Sequence, residues 1–132
     1  MSPFIKTGDI VTLSKIPSDK IKIGDIIFCR SDEGRFKLHR LIAIEKSRLI
    51  TKGDALDAPD KPVHKTDCLG RVIRIERHRP QTVRTCNMET PLSQVINYIL
   101  AVYYRYKSLL ICTFINVKSH LNINRLNMPE NS

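Results

Sequence analysis

Three short segments of the sequence contain the residue types that nucleophilic catalysis uses. They span residues 2–9, 37–42 and 51–60, and the second has His39 at its centre. A histidine near its unperturbed pKa can take a proton from a hydroxyl at neutral pH, and a carboxylate can fix the tautomer of that histidine. Each segment alone is a weak signal, because a lone histidine in a strand is most often structural and a Gly-Asp pair is usually a turn.

Four motifs of the chain are more informative together than alone, because of their order and spacing. They are Met1-Ser-Pro-Phe-Ile-Lys-Thr-Gly-Asp9, His39-Arg40, Thr51-Lys-Gly-Asp54 with Asp60, and Leu69-Gly-Arg-Val72. Together they resemble the signal peptidase I family, in its Ser-His-Asp branch from archaea, the endoplasmic reticulum and some Gram-positive bacteria. The resemblance covers residues 1 to about 78 and is specific because four motifs agree in order. It implies a mainly β fold, a curled antiparallel β domain, and it does not extend to the rest of the chain.

The resemblance also implies a role for each residue of the site. His39 is the general base, and Asp60 is the carboxylate that orients it. Asp54 is the second choice for the orienting role, because the aspartate of a Gly-Asp turn often uses its side chain locally. Lys37 lies two residues from His39 on the same strand face and is a minor alternative as the base. Such an enzyme needs no metal and no organic cofactor, and it cleaves exported preproteins or similar peptides that pair as a β-strand beside the site.

The nucleophile of this family is a serine that would immediately precede Met1. Ser2 stands two positions too late, next to Pro3, so the chain as given is expected to be inactive, because triad members act as a unit. We expect the natural product to extend upstream, with the serine and an apolar anchor that places the site on the extracytoplasmic side of a membrane. Without an anchor the location would be cytoplasmic. The alternative is a non-catalytic relative that binds peptides or membranes.

The first 80 residues predict a β domain. Short segments rich in Ile, Val, Leu and Thr, each bounded by turn signals, predict strands over 9–13, 25–30, 35–45, 48–52 and 69–77. Lys6-Thr-Gly-Asp9 is echoed by Lys22-Ile-Gly-Asp25, each just before a strand. In both, the glycine can take a positive φ and the aspartate is expected to hydrogen-bond the turn backbone.

Residues 81–118 predict a linker and an amphipathic helix, and residues 119–132 predict a polar tail. Thr90 suits the N-cap and Pro91 the first helical position. Apolar residues recur at three- and four-residue steps up to Leu110, and packing of this stripe on the β domain is the favoured interpretation. Contact of the 91–117 helix with a membrane surface stays open, with its tyrosines near the headgroups and its basic residues, Arg105 and Lys107, toward anionic lipid.

Composition narrows the class of protein further. The chain has 132 residues, enough for one domain, and a formal net charge of +9. That charge raises nucleic acid as a partner, but the absence of a helix-turn-helix pattern and of strands with interleaved aromatic and basic residues argues against it. The cysteines form no CxxC pair, which argues against a zinc site, and Cys29 and Cys112 are expected in the core. Neither a signal peptide nor a clean membrane span is evident in the sequence.

Overall fold

Seven strands in the described part of the chain form one antiparallel sheet. The structure is a computed structural model, and it describes residues 4–15 and 17–126. Most of the strands are rich in β-branched and other apolar residues, which fit a pleated, half-buried surface. The strands are β1 (Ile10–Ser14), β2 (Ile26–Arg30), β3 (Phe36–Glu45), β4 (Arg48–Lys52), β5 (Val63–His64), β6 (Cys68–Arg79) and β7 (Thr82–Asn87).

The five strands predicted from the sequence correspond to β1, β2, β3, β4 and β6, with bounds that agree within two residues. The predicted linker from residue 81 is wrong, because β7 pairs with the second half of β6 across a turn at Pro80-Gln81. Every residue of β7 is exposed. A strand with no buried face needs no alternation of apolar and polar residues, and that alternation is the signal by which a strand is recognised in a sequence.

The sheet is open. Its strand order is β1-β6-β2-β3-β4-β5, and β7 pairs with β6. The strands at the two ends of this order, β1 and β5, do not pair with each other. β5 has only two residues, and they pair with the start of β4. The prediction of a mainly antiparallel β domain followed by a helix is confirmed, whereas the predicted curl is not seen in the described sheet.

The central strand β3 presents different chemistry on its two faces. Successive side chains of a strand point to opposite faces, so His39 and Arg40 lie on opposite sides of the sheet. The face of His39 continues into a buried cluster that includes Leu41. Arg40 pairs with Ile26 of β2, so their side chains share the other face. Ile26 belongs there to a second buried cluster, which includes Val72. A mechanism that uses His39 and a contact that uses Arg40 therefore take place on different surfaces.

The two Gly-Asp turns have the geometry predicted from the sequence. Gly8 and Gly24 have φ of 91° and 100°, in the left-handed region that favours glycine. The Asp9 side chain accepts a hydrogen bond from the backbone N–H of Lys6 at 2.9 Å. At the second turn, the side chain of the aspartate at position 25 accepts the equivalent bond, from residue 22, at 2.8 Å. Both turns therefore deliver the chain into a strand in the same way.

The helix α1 (Pro91–Leu126) follows β7. The prediction of Thr90 as its N-cap is confirmed, because Thr90 Oγ1 accepts a hydrogen bond from the Ser93 N–H at 3.2 Å. The helix continues past residue 118, so the predicted polar tail is helical as far as Leu126. The remainder of that tail, residues 127–132, lies outside the described residues.

The helix packs on the sheet through residues that interrupt its apolar stripe. Asn97, Ala101 and Ser108 are buried, at a spacing that places them on one side of the helix. Asn97 Oδ1 accepts a hydrogen bond from Arg40, and Gly24 lies so close that a Cβ there would be 2.8 Å from the helix backbone. The predicted packing of the apolar stripe on the β domain is therefore wrong. A buried arginine needs polar partners, and the polar side of the helix provides one.

Several side chains of α1 also differ from expectation. Tyr104 and Lys107, which the open alternative of membrane contact placed toward lipid, turn toward the sheet: Lys52 Nζ lies 4.1 Å from the Tyr104 ring centroid. Lys107 reaches an aspartate of the loop after β4. Of the two cysteines predicted in the core, Cys29 is buried in β2, whereas Cys112 is exposed on the helix. Apolar neighbours in the sequence do not show which side of a helix is covered.

Candidate active site

Asp60 is brought to the sheet by the loop that follows β4. Its backbone N–H donates a hydrogen bond to the Thr51 carbonyl at 2.8 Å, which folds the loop back on the strand it left. The Thr51 hydroxyl then donates to Asp60 Oδ2, also at 2.8 Å. Thr51 therefore fixes both the backbone and the carboxylate of Asp60, a role that sequence reasoning did not assign although the residue lies in a quoted motif.

The Asp60 carboxylate gathers two further donors from β3. Its Oδ2 lies 2.5 Å from Nδ1 of His39, and its Oδ1 lies 3.4 Å from Nζ of Lys37. Lys37 and His39 are two residues apart on one strand face, as predicted. The His39 and Asp60 side chains are 19% and 11% exposed, so the pair is largely desolvated but still reachable from solvent. The structure thus brings together Asp60, His39 and Lys37.

The charge on Asp60 determines the tautomer of His39. Burial alone would raise the pKa of Asp60, but hydrogen bonds from His39 and Thr51 outweigh burial, and this pKa is lowered from its ordinary value. An ionised carboxylate can only accept hydrogen bonds, so the short contact requires the proton on His39 Nδ1. In the neutral imidazole the lone pair is then on Nε2, which is the arrangement of a general base.

Gly53 leaves space beside the outer nitrogen of His39. A Cβ added at Gly53 would lie 3.2 Å from His39 Nε2 and 3.0 Å from the side chain of Leu56. Those spacings are tighter than ordinary van der Waals contact. The glycine of the Thr-Lys-Gly-Asp motif therefore provides space at the site.

Asp54, the second choice for orienting His39, serves a different group. Its Oδ1 and Oδ2 accept hydrogen bonds from Nε and Nη2 of Arg40 at 2.9 and 3.0 Å, and both side chains are fully buried. Arg40 Nη1 also donates to the carbonyl of Gly24 at 3.1 Å and to Asn97 Oδ1 at 2.8 Å. The ring of Phe4 covers the guanidinium at 4.8 Å. Asp54 therefore compensates a buried charge on the face opposite His39.

The third aspartate of this loop takes yet another partner. Asp57 Oδ1 accepts a hydrogen bond from Lys107 Nζ of α1 at 3.3 Å, in an exposed ion pair. Aspartates at positions 54, 57 and 60 are evenly spaced in the sequence. In the structure they contact a buried arginine, the helix and the imidazole respectively, so even spacing does not bring them together.

The segment that precedes β1 is held by an arginine of β6. Arg77 Nε and Nη2 donate to the two carboxylate oxygens of Asp9 at 2.7 and 2.5 Å, and Nη2 also donates to the Phe4 carbonyl at 3.1 Å. The hydrogen bond from Arg77 is the main cause that lowers the pKa of Asp9 to about 2. The first described residues are therefore anchored to the sheet, while Ser2 lies outside the described residues.

Lys52 is a buried cation that sequence reasoning did not single out. Its side chain is nearly inaccessible, its Nζ donates to the Gly53 carbonyl at 3.3 Å, and the Tyr104 ring covers it. Burial lowers the pKa of Lys52, and the charge of Lys107 lowers it further. Lys52 lies on the Arg40 face, because it pairs with Arg40 across β3 and β4. It strengthens the junction with α1 and does not reach His39.

The surroundings of the site offer an unpaired strand edge. Pairing of β3 with β4 begins at Arg40, so within the described residues Phe36–His39 pair only with β2. A small cavity of about 80 Å³ lies beside this edge, lined in part by Lys37 and Val63. A larger cavity, about 620 Å³, lies instead between Gly24 and the first turns of α1, and His39 does not line it.

No helix in the described part of the chain has both the length and the apolar character needed to cross a membrane. Comparisons of the chain with models of protein families, with curated proteins and with solved structures gave no match.

Proposed function

We propose that this chain is the greater part of the catalytic domain of a serine endopeptidase of the signal peptidase I type. One observation carries the proposal: His39 is held by an ionised carboxylate through Nδ1, and the residue beside its Nε2 is a glycine with no side chain to crowd it. The four motifs that resemble the family add to this, because Asp60 is the acidic residue that the resemblance assigned to the orienting role.

The chemistry assigned to the site follows from that geometry. A serine hydroxyl attacks the scissile carbonyl carbon while His39 Nε2 takes the hydroxyl proton. The imidazolium that forms is stabilised by Asp60, with which it already shares a hydrogen bond at 2.5 Å. His39 then gives the proton to the leaving amine, and water repeats the sequence to release the acyl group. Lys37, at 3.4 Å from the same carboxylate, adds positive charge near Asp60.

The serine is assigned to the position directly before Met1, as the resemblance implies. The start of that segment is fixed to the sheet, because Phe4 is held by Arg77 through its carbonyl and by Arg40 through its ring, on the face of β3 opposite His39. Arg40 is the neighbour of His39 in β3. Movement of this segment relative to the strand of the base is thereby restricted, which a serine-histidine contact requires.

The proposed substrate is an extended peptide, such as the cleavage region of an exported preprotein with small residues at its cleavage site. The unpaired edge at Phe36–His39 supports this, because an extended chain can add to such an edge through its backbone. A peptide placed there would lie beside His39. If an upstream segment supplies an apolar anchor, the proposed location is a membrane, with the site on its extracytoplasmic side; without one it is the cytoplasm.

The test uses a chain extended upstream by a serine directly before Met1 and by a short natural or designed leader. A fluorogenic peptide with an Ala-x-Ala site is expected to be cleaved by this chain and not by the same chain with alanine in place of the added serine. His39→Ala should abolish cleavage, whereas Lys37→Met should retain most of it. If Lys37→Met abolishes cleavage and His39→Ala does not, the lysine is the base.

The same experiment addresses the alternative of a non-catalytic peptide-binding relative. In that case the extended chain binds the peptide, as measured by fluorescence anisotropy, without cleaving it, and the added serine changes nothing. That outcome would reject the peptidase proposal.

A further inference from the structure

The side of α1 that points away from the sheet is apolar and uncovered. We define its outer face by six side chains that recur at three- and four-residue steps and are between 55% and 70% exposed: Leu92, Val95, Ile99, Tyr103, Tyr106 and Leu110. Phe114 continues the exposed apolar surface one turn further, at 73%. An exposed apolar patch of this kind on a folded domain marks a surface for interaction.

The β domain is not in a position to cover the outer face. The buried residues of the helix, Asn97, Ala101 and Ser108, lie about half a turn away from it. They are fixed to the sheet by the hydrogen bond between Asn97 and Arg40 and by the close approach to Gly24. Rotating the outer face inward would leave Arg40 buried without one of its partners, which is costly.

The charges of α1 are of one sign. Among its 36 residues are four basic ones, Arg105, Lys107, Lys118 and Arg125, and no aspartate or glutamate. Lys107 is already paired with Asp57, so it is not counted toward attraction to lipid. The formal net charge of the whole chain has the same sign, at +9. Basic residues on an amphipathic helix are attracted to the negative surface of anionic lipids, at about 1 kcal/mol per residue near the surface.

We propose that the outer face of α1 lies on the surface of an anionic phospholipid bilayer. Its aliphatic side chains enter the boundary between headgroups and acyl chains, and Tyr103 and Tyr106 place amphipathic rings at the headgroup level. A second copy of the chain fits less well, because two such helices would bring like charges together and neither offers an acidic residue to pair with them. The proposal does not depend on peptidase activity.

The experiment is cosedimentation of the full chain with vesicles. The probes are phosphatidylcholine vesicles with and without about 30% phosphatidylglycerol. We expect binding to the anionic vesicles that weakens as salt is raised, and much weaker binding to phosphatidylcholine alone. Leu110→Glu should reduce binding to the anionic vesicles about tenfold or more. It removes an aliphatic group that the bilayer would bury, and it adds a negative charge that the anionic lipids repel.

A matched variant controls for the change in net charge. Val83→Glu makes the same kind of substitution at an exposed apolar residue of β7, away from the outer face, and should reduce binding much less than Leu110→Glu does. Both residues are more than half exposed, so both variants should fold, which circular dichroism will check. The lipid proposal is overturned by absence of vesicle binding or by equal losses in the two variants. It is also overturned if sedimentation velocity shows a dimer that Leu110→Glu dissociates while vesicles do not bind.

Discussion

Two aspartates six residues apart, Asp54 and Asp60, stand on the same loop and have opposite surroundings. Asp54 is fully buried, and both its oxygens are used by a single arginine, Arg40. Asp60 is slightly exposed and shares its oxygens among His39, Thr51 and Lys37. The first arrangement leaves no atom free for chemistry. The second ends in an imidazole whose outer nitrogen lies beside Gly53, which has no side chain.

The difference shows how one loop supports both stability and reactivity. A bidentate arginine-carboxylate pair with further buried partners is closed, and its value lies in keeping a buried charge compensated. A carboxylate that accepts a hydrogen bond from one nitrogen of a histidine fixes the tautomer, and so leaves the other nitrogen able to accept a proton. Substitutions at Asp54 should therefore affect folding, and substitutions at Asp60 should affect catalysis.

The largest effect is expected for Asp60→Asn in the chain extended with a serine before Met1. An amide at this position can hold His39 in the wrong tautomer, so kcat should fall by about 10⁴-fold while the fold is retained. Asp57→Asn, the same change three residues away, should leave kcat within about twofold. Steady-state kinetics with the fluorogenic peptide measures both. Similar kcat values for the two variants would contradict the role of Asp60.

A large loss of stability is expected for Asp54→Ala. The change leaves the Arg40 charge buried without its main partner, which should lower the free energy of unfolding by about 3–5 kcal/mol. Asp60→Ala removes hydrogen bonds from a more accessible group and should cost about 1–3 kcal/mol. Urea denaturation followed by circular dichroism gives both values, with Asp57→Ala as the matched control. The comparison fails if Asp60→Ala is the more destabilising of the two.

The smallest expected effect is on the free energy of unfolding at acidic pH. The pKa of Asp60 is lowered in the folded chain, so its ionised form contributes stability that is complete above the ordinary value of 3.8 and is lost as pH falls through the folded-state pKa. The difference in free energy of unfolding between the wild type and Asp60→Asn should therefore shrink as pH falls below about 5. Urea titrations at several pH values measure it, and a difference that grows toward acid would have the wrong sign.

The sequence contained enough to predict the strands that carry the site. Their β-branched runs and Gly-Asp turns are local signals, and β3 and β4 begin and end within one residue of the predicted bounds. Local sequence signals do not decide in the same way whether Asp54 or Asp60 orients His39. The choice depends on which side of the sheet a loop residue returns to, and that is set here by the hydrogen bonds between Asp60 and Thr51.

The side on which the helix is covered was also not accessible from the sequence. Periodicity in α1 identifies an apolar stripe, and the usual expectation is that such a stripe packs on the core. Here the sheet presents Arg40 instead of an apolar surface, and Asn97 meets it. A buried arginine on a strand is visible in a sequence only as a charge, so the polar side of the helix could not be recognised as its packing side.

The opposite directions of His39 and Arg40 on β3 have a consequence for distance. The helix covers the Arg40 face, so a bilayer touching the outer face of α1 would be separated from His39 by the thickness of the helix and of the sheet. Each contributes about 10 Å, which gives a height of about 20 Å. An extended chain rises about 3.3 Å per residue, so a membrane-tethered substrate would need about six residues between the bilayer and its cleaved bond. Substrates with a shorter spacer would be excluded by reach alone, whatever their sequence.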